Sequence, residues 1–389
     1  MVYIVSSART PMGSFLGSLS PLGYVDLGSH AVKAALKRSG ILADDVDEII
    51  FGCALGANIG QDPARQVGLA AGLPDTVVST TINKVCASGM KAIILGYQSI
   101  ITGSAEVVVV GGAESMSNVP YYVTRNGYKY GKAVLTDGLR LDGLTDAYDG
   151  FLMGVAGDKL GADMGYTREE IDDYAVNSYQ KAFQAYDNDK FGEIEPIVLR
   201  TKQGTTVISR DEDLVKYNEE KLRAAKPAFR EDGTVTAPNA PSLNDGGAAL
   251  ILVSEDKLKE LNLVPLAKIV SYGEAATTPI DFTIAPSMAV PIALERAQMK
   301  ISDVDYFEFN EAFSTVGLAN TQKLAIDSAK VNVYGGAVAM GHPLGCSGAR
   351  IVVTLLSVLK QEGGKVGVAA ICNGGGGASS VVVERVGSS

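Results

Sequence analysis

Residues 35–52 and 293–310 repeat one another without a gap. Ala35-Leu-Lys-Arg-Ser-Gly-Ile-Leu-Ala-Asp-Asp-Val-Asp-Glu-Ile-Ile-Phe-Gly52 lies on Ala293-Leu-Glu-Arg-Ala-Gln-Met-Lys-Ile-Ser-Asp-Val-Asp-Tyr-Phe-Glu-Phe-Asn310, with alanine, leucine, arginine, the Asp-Val-Asp triplet and phenylalanine in register. Both copies read as a helix end, a turn and a strand. Later landmarks keep the same order. Cys86-Ala-Ser-Gly89 opens a helical run that ends near Gly103 and leads into Val107-Val-Val-Val-Gly-Gly112. Cys346-Ser-Gly348 opens a run to Gly363, followed by a strand from Val366 to Cys372 and the turn Gly374-Gly-Gly-Gly377. A duplicated α/β domain accounts for this order, each copy alternating strands with helices. The all-apolar runs Val107–Val110 and Val366–Ile371 predict strands buried on both faces. In open α/β sheets ligands sit at the carboxyl ends of strands. Unusual residues collect at such ends here: Cys86, Gly111, Asn310 and Cys372.

Between the copies lies a different stretch, residues 119–245, too long for a plain connection. It predicts a subdomain or lid. The division expected is therefore 1–118 for the first half, 119–245 for the insertion, 246–265 completing the first half, and 266–389 for the second.

Composition narrows the function. The net charge of −10 argues against a general nucleic-acid or membrane-surface binder. Cys53, Cys86, Cys346 and Cys372 are widely spaced and form no C-x-x-C pair, and only His30 and His342 are available as histidines. A histidine-rich metal site is excluded, and free thiols in a reducing compartment are expected. The start Met1-Val-Tyr-Ile-Val-Ser-Ser-Ala-Arg9 reads as a strand and not as a signal peptide. No apolar run is expected to reach the roughly 18 residues of a membrane helix. The cytosol is the expected location.

Four blocks carry chemistry. In Asn83-Lys-Val-Cys-Ala-Ser-Gly-Met-Lys-Ala92 a strand ends and Cys86 stands where a helix begins. A helix N-terminus favours a thiolate; a buried structural thiol is the competing reading. In Gly335-Gly-Ala-Val-Ala-Met-Gly-His-Pro-Leu-Gly-Cys-Ser-Gly348, His342 is framed by glycines that allow close approach to a ligand. It is either a base or a turn-capping loop histidine. In Ala370-Ile-Cys-Asn-Gly-Gly-Gly-Gly-Ala-Ser379, Cys372 ends a buried strand and consecutive N–H groups follow that could serve an oxyanion. No lysine follows, so a Walker-type loop is unsupported. In Phe309-Asn-Glu-Ala-Phe-Ser314, Asn310 either orients a water or carbonyl, or is an N-cap. Cys86, His342 and Cys372 together supply a nucleophile, a base and a second acid/base. That suits acyl transfer to one thiol followed by proton removal at a second acyl group's α-carbon.

In order and spacing the four blocks resemble the thiolase family over essentially the whole chain. Tyr306–Phe313 and Asn332–Ala337 look like its fungal cytosolic acetoacetyl-CoA-forming group. The resemblance implies an α/β fold of duplicated βαβαβαββ halves in a five-layered α-β-α-β-α arrangement with an inserted loop domain. It implies acetyl-CoA C-acetyltransferase activity: reversible condensation of two acetyl-CoA to acetoacetyl-CoA and CoA, feeding isoprenoid and sterol synthesis. Cys86 would carry the acetyl group and His342 would activate it. Asn310 would hold a water, Cys372 would move the α-proton, and the N–H groups of Cys86 and Gly374 would hold the oxyanion. Bulk at the Gly374–Gly377 glycines is expected to be rejected.

The same resemblance makes the insertion the site of CoA binding and of contacts in a homotetramer, a dimer of dimers. Met153, Leu152, Lys216, Lys221, Arg223, Ser242, Phe229 and Phe313 are the expected CoA and acyl contacts. Tyr179, Ala237, Pro238, Ala240 and Val338 fall where potassium-activated members line a potassium site. Two positions depart from the family pattern. Leu152 replaces a histidine, and Pro241 replaces a serine that Ser242 would have to stand in for. A degradative thiolase of longer acyl chains and a silent CoA-binding relative are the alternatives.

Overall fold

The computed structural model describes residues 1–126, 128, 130–202 and 204–386. The main strands are β1 (Val2–Arg9), β2 (Glu48–Gly52), β3 (Val78–Ile82), β4 (Val107–Ser115), β5 (Asn244–Ser254), β6 (Ala267–Ala276), β7 (Tyr306–Phe309), β8 (Val366–Asn373) and β9 (Gly377–Arg385). The helices that matter for the site are α1 (Tyr24–Ser39), α2 (Pro63–Ala71), α3 (Ser88–Ile101), α4 (Met153–Met164), α5 (Arg168–Asp187), α6 (Pro286–Ala297), α7 (Ser314–Lys323) and α8 (Leu344–Gln361).

The first half forms a sheet in the order β3-β2-β4-β5-β1, in which β5 runs antiparallel to β1 and β4. The second half repeats this as β7-β8-β9-β6, with β9 antiparallel to both neighbours. Its third strand has shrunk to one parallel bridge, Val331 to Phe307. The halves join edge to edge where β1 pairs antiparallel with β6, from Val2–Ile269 to Ile4–Ala267. This pairing covers two edges that would otherwise expose unpaired backbone groups.

The repeat is structural down to single hydrogen bonds. Gly40 and Gln298, at matched positions, both end their helices in the left-handed region, at φ 73° and 57°. A short 3₁₀ turn follows in each copy, Ala43–Asp45 and Ile301–Asp303. Asp47 and Asp305, the last members of the Asp-Val-Asp triplets, then do the same work. Asp47 accepts from the N–H of Glu106 and Val107 at the start of β4, and Asp305 from Lys365 and Val366 at the start of β8.

Helices α3 and α8 pack on each other between the two sheets, α1 and α2 cover the outer face of the first half, and α6 covers the second. This is the five-layered arrangement. It forces backbones together at the centre: a Cβ on Gly112 would stand 2.0 Å from the Gly345 carbonyl oxygen. Helix α8 has the length and apolar character of a membrane span, contrary to the expectation from the sequence, but most of it is buried between the sheets. An all-round apolar helix is what a middle layer requires. Between β4 and β5 the chain forms α4, α5, a short helix Glu219–Ala224 and two small hairpins.

Candidate active site

Cys86 sits between the end of β3 and α3. The turn into it is strained: Val85, a β-branched residue, has φ 49°. Local hydrogen bonds hold this turn. The Ser88 hydroxyl accepts from the N–H of Lys84 at 2.8 Å and donates to the Val85 carbonyl at 2.6 Å, and the Asn83 side chain accepts from the Val85 N–H. The backbone N–H groups of Cys86 itself and of Gly374 lie near enough to the Cys86 sulfur to lower its pKa. Gly374 belongs to the other half of the molecule, in the turn between β8 and β9. The first half thus supplies the thiol and the second half one of the two N–H groups that act on it.

Electrostatics corrects one expectation. The position of Cys86 at a helix start predicted a thiolate. Burial instead pushes the Cys86 thiol up to about 11, the two N–H donors pull it down only in part, and the Glu114 charge adds to the rise. Desolvation is the largest influence on this thiol.

His342 lies in the loop before α8. Burial, with the Arg350 charge in second place, lowers its pKa to about 3, so the imidazole is neutral. Its Nδ1 is 2.5 Å from Ser347 Oγ, and that hydroxyl donates its one proton to the Pro343 carbonyl at 2.8 Å. The serine oxygen therefore accepts from Nδ1–H, and Nε2 carries the free lone pair. Asn310 Nδ2 faces Nε2 at 3.4 Å, and Asn310 Oδ1 is buried without a partner among the described residues. Asn310 is not an N-cap: α7 begins at Ser314 behind Phe313. The backbone of His342 is fixed by Asn244, whose Oδ1 accepts its N–H at 2.8 Å.

Cys372 is the penultimate residue of β8 and is fully buried. Burial raises its pKa strongly, and the neighbouring Cys86 raises it further, which places the two thiols within electrostatic reach of each other. Within the Gly374–Gly377 run, the expected intolerance of bulk holds at Gly376 and not at Gly374. A Cβ on Gly374 would meet only the Met153 sulfur at 3.4 Å and Val85 at 3.8 Å. On Gly376, at φ 97°, it would stand 2.2 Å from the Thr277 carbonyl oxygen.

The insertion closes over this centre. Met153, at the start of α4 behind Leu152, puts its sulfur beside Gly374. Phe313 and Phe229 meet edge to face at 6.3 Å, and both pack on α4, against Gly157 and Gly154 respectively. The Ser242 hydroxyl lies within hydrogen-bond reach of the Asp213 carboxylate and, at 2.9 Å, of Asn244 Oδ1, so it belongs to the hydrogen-bond network behind His342. Lys216 pairs with Asp213 at 3.2 Å, and Arg223 pairs with both Asp173 and Glu219. Lys221 is exposed and makes no ion pair among the described residues. Tyr179 stacks on Tyr217 and shares an apolar cluster with Val338, whose N–H donates to Glu311. Ala237, Pro238 and Ala240 lie on a separate turn pinned by Asn239, which accepts from Thr236 N–H and donates to Asp172.

Sequence reasoning passed over Ser347, Asn244 and Glu114. Glu114 is a lone acid at the end of an all-buried strand, which is a usable signal. It is buried, accepts from the N–H groups of Ala54, Leu55 and Gly345, and is pushed up to about 7 by burial. Ser347 had no signal beyond its place five residues after His342.

Comparison with known proteins gives a consistent picture. A family model described as the thiolase N-terminal domain matches residues 2–256, and one described as the thiolase C-terminal domain matches residues 263–385. Acetyl-CoA acetyltransferase IA of Candida tropicalis is 62% identical over 99% of this chain and 97% of its own length. The protein of Gibberella zeae named acetyl-CoA acetyltransferase ERG10, cytosolic, is 55% identical over 99% of this chain and 98% of its own. The crystal structure of the Acat5 thiolase of Ascaris suum in complex with coenzyme A superposes with a TM-score of 0.95 at 45% identity, covering 99% of this chain and 100% of that one.

Proposed function

The chain belongs to the thiolase family, and from that premise we propose that it is an acetyl-CoA C-acetyltransferase. It condenses two acetyl-CoA reversibly to acetoacetyl-CoA and CoA through an acetyl thioester on Cys86. The observation that carries the reading is that the Gly374 backbone, from the other half of the molecule, lies beside the Cys86 turn, a Cβ on it falling 3.8 Å from Val85, so that its N–H and that of Cys86 both act on the thiol. An acyl group on that sulfur would have its carbonyl oxygen beside the same donors.

The steps follow from the residues. The Cys86 proton passes to His342 Nε2 as the sulfur attacks the thioester carbonyl. The CoA–acyl bond breaks, and the leaving CoA thiolate takes the proton of Cys372, a thiol that burial keeps protonated until then. The Cys372 thiolate then removes the α-proton of a second acetyl-CoA. The enolate carbon attacks the acetyl group, the bond to Cys86 breaks, and the expelled thiolate recovers its proton from His342. His342 and Cys86 both rest neutral, so the proton moves only as the sulfur attacks.

The insertion is proposed to hold CoA. Met153 would lie along the pantetheine, while Phe229 and Phe313 limit acyl length. Leu152 and Ser242 border this path, and Lys221, with Lys216 and Arg223 after exchange of their present partners, meets the phosphates. Exposed Tyr121, Val123, Leu135 and Tyr148 in the insertion support a homotetramer. A potassium ion at Tyr179, Ala237, Pro238, Ala240 and Val338 is proposed as an activator; an unchanged rate on replacing potassium with sodium removes it. The cytosolic relative supports a cytosolic enzyme of isoprenoid and sterol supply.

Mass spectrometry after incubation with acetoacetyl-CoA tests the central claim. An acetyl thioester is expected on the Cys86 peptide and absent from Cys86→Ser. Label elsewhere overturns it. Thiolysis measured across acyl lengths is expected to favour acetoacetyl-CoA; preference for long chains would make this a degradative enzyme.

A further inference from the structure

We infer that Glu274 is a positioning residue that ties the Cys86 turn to the second half of the molecule, through Lys84 and Lys91. The need for such a tie is geometric. The reacting sulfur belongs to the first half, whereas the Gly374 donor and Cys372 belong to the second. Cys86 follows a residue in a strained conformation that relaxes unless its surroundings hold it.

Two lysines bracket the cysteine. Lys84 precedes the strained Val85, and Lys91 lies on the first turn of α3. Both reach one carboxylate on β6 of the other half. Lys84 Nζ is 2.5 Å from Glu274 Oε1, and Lys91 Nζ is 2.7 Å from Glu274 Oε2. Lys84 also donates to Ser379 Oγ at 2.9 Å, and Ser379 donates to Glu274 at 3.2 Å. Ser379 pairs across the β8–β9 ladder with Ile371, the residue before Cys372. The four side chains thus span from one side of Cys86 to the strand that holds Cys372.

Their exposure argues for alignment over stability. Each charged member is about a quarter exposed, and pairs of that kind add little to folding. Two cations on one carboxylate from two different backbone segments nevertheless fix the distance between those segments. A misplacement of about 1 Å at a reacting centre costs up to about 100-fold in rate.

The inference rests on the acyltransferase reading, and its test separates the two. Wild-type thiolysis and the acetyl-Cys86 adduct establish the reading. Given those, Glu274→Gln, Lys84→Met and the double variant are compared by steady-state kinetics, single-turnover acetylation of Cys86 and thermal unfolding. Lys268→Met is the control, because Lys268 makes an ion pair with Glu384 of similar exposure from the same strand β6. Glu274→Gln is expected to lower kcat and the acetylation rate about 10- to 100-fold, with KM within twofold and Tm near that of Lys268→Met. The double variant is expected to be no slower than Glu274→Gln. Wild-type kcat in Glu274→Gln overturns the inference. So does a loss of kcat matched by a fall in Tm beyond the control, or strict additivity of the two substitutions.

Discussion

Ser347 Oγ lies 2.5 Å from Nδ1 of His342 and spends its single proton on the Pro343 carbonyl. One hydroxyl on the first turns of α8 therefore selects the imidazole tautomer whose Nε2 is a base. Removing it leaves a buried N–H without a partner and frees the ring to turn. Ser347→Ala is expected to lower kcat about 100-fold, near the lower end of what a positioned base contributes, with KM little changed. Ser347→Thr, which keeps the hydroxyl, is expected to recover much of it. Steady-state thiolysis of acetoacetyl-CoA reads both, and equal activity of Ser347→Ala and wild type would remove the assignment.

The resting site holds a neutral thiol at Cys86 and a neutral imidazole at His342. Iodoacetamide alkylation of Cys86 should accelerate about tenfold per pH unit from pH 6 to pH 9, because the thiol titrates only near 11. A thiolate–imidazolium pair would instead give a plateau below pH 8. The rate of Cys86 modification, followed by mass spectrometry across that range, distinguishes them.

Gly374 and Gly376 should respond oppositely to a methyl group. Gly376→Ala meets both a left-handed backbone and the Thr277 carbonyl at 2.2 Å. It is expected to cost about 3 kcal/mol or more of stability, measured by urea unfolding. Gly374→Ala has room within the protein and should fold with a near-wild-type midpoint. Its methyl stands between Met153 and Val85 at the thiol, so kcat should fall at least about tenfold. A folded, fully active Gly376→Ala would contradict the steric argument.

Glu114 gives a pH dependence of known sign. Its folded pKa, about 7, lies above the ordinary carboxyl value of 4.5. The folded state binds more protons than the unfolded state in between, so this contribution is fully present below about 4.5 and is lost as pH rises through 7. It amounts to roughly 3 kcal/mol. His342, lowered to about 3, works in the opposite direction and costs stability as pH falls below its ordinary 6.5. Glu114→Gln removes only the first effect. Between pH 5 and 7 the variant's Tm should rise more with pH than that of wild type, as followed by circular dichroism; parallel curves would sink the assignment.

The sequence alone determined the duplication, the alternation of strands and helices, and the four blocks. These are carried by short-range signals. Glycine and apolar runs set turns and strands, and the repeat exposes itself by alignment at a fixed offset. The aspartates of the two Asp-Val-Asp triplets were visible as identities, though not as the residues that dock β4 and β8 onto their neighbours.

What only the tertiary structure decided is how the two halves share one centre. Nothing local to Cys86 says that a glycine N–H from beyond residue 370 reaches its sulfur, or that Glu274 reaches the lysines on either side of it. The charge state of the thiol was open in the sequence for the same reason. A helix N-terminus is legible within a few residues, whereas desolvation depends on everything the folded chain packs around the group. Here burial is the largest influence and leaves a neutral thiol at Cys86.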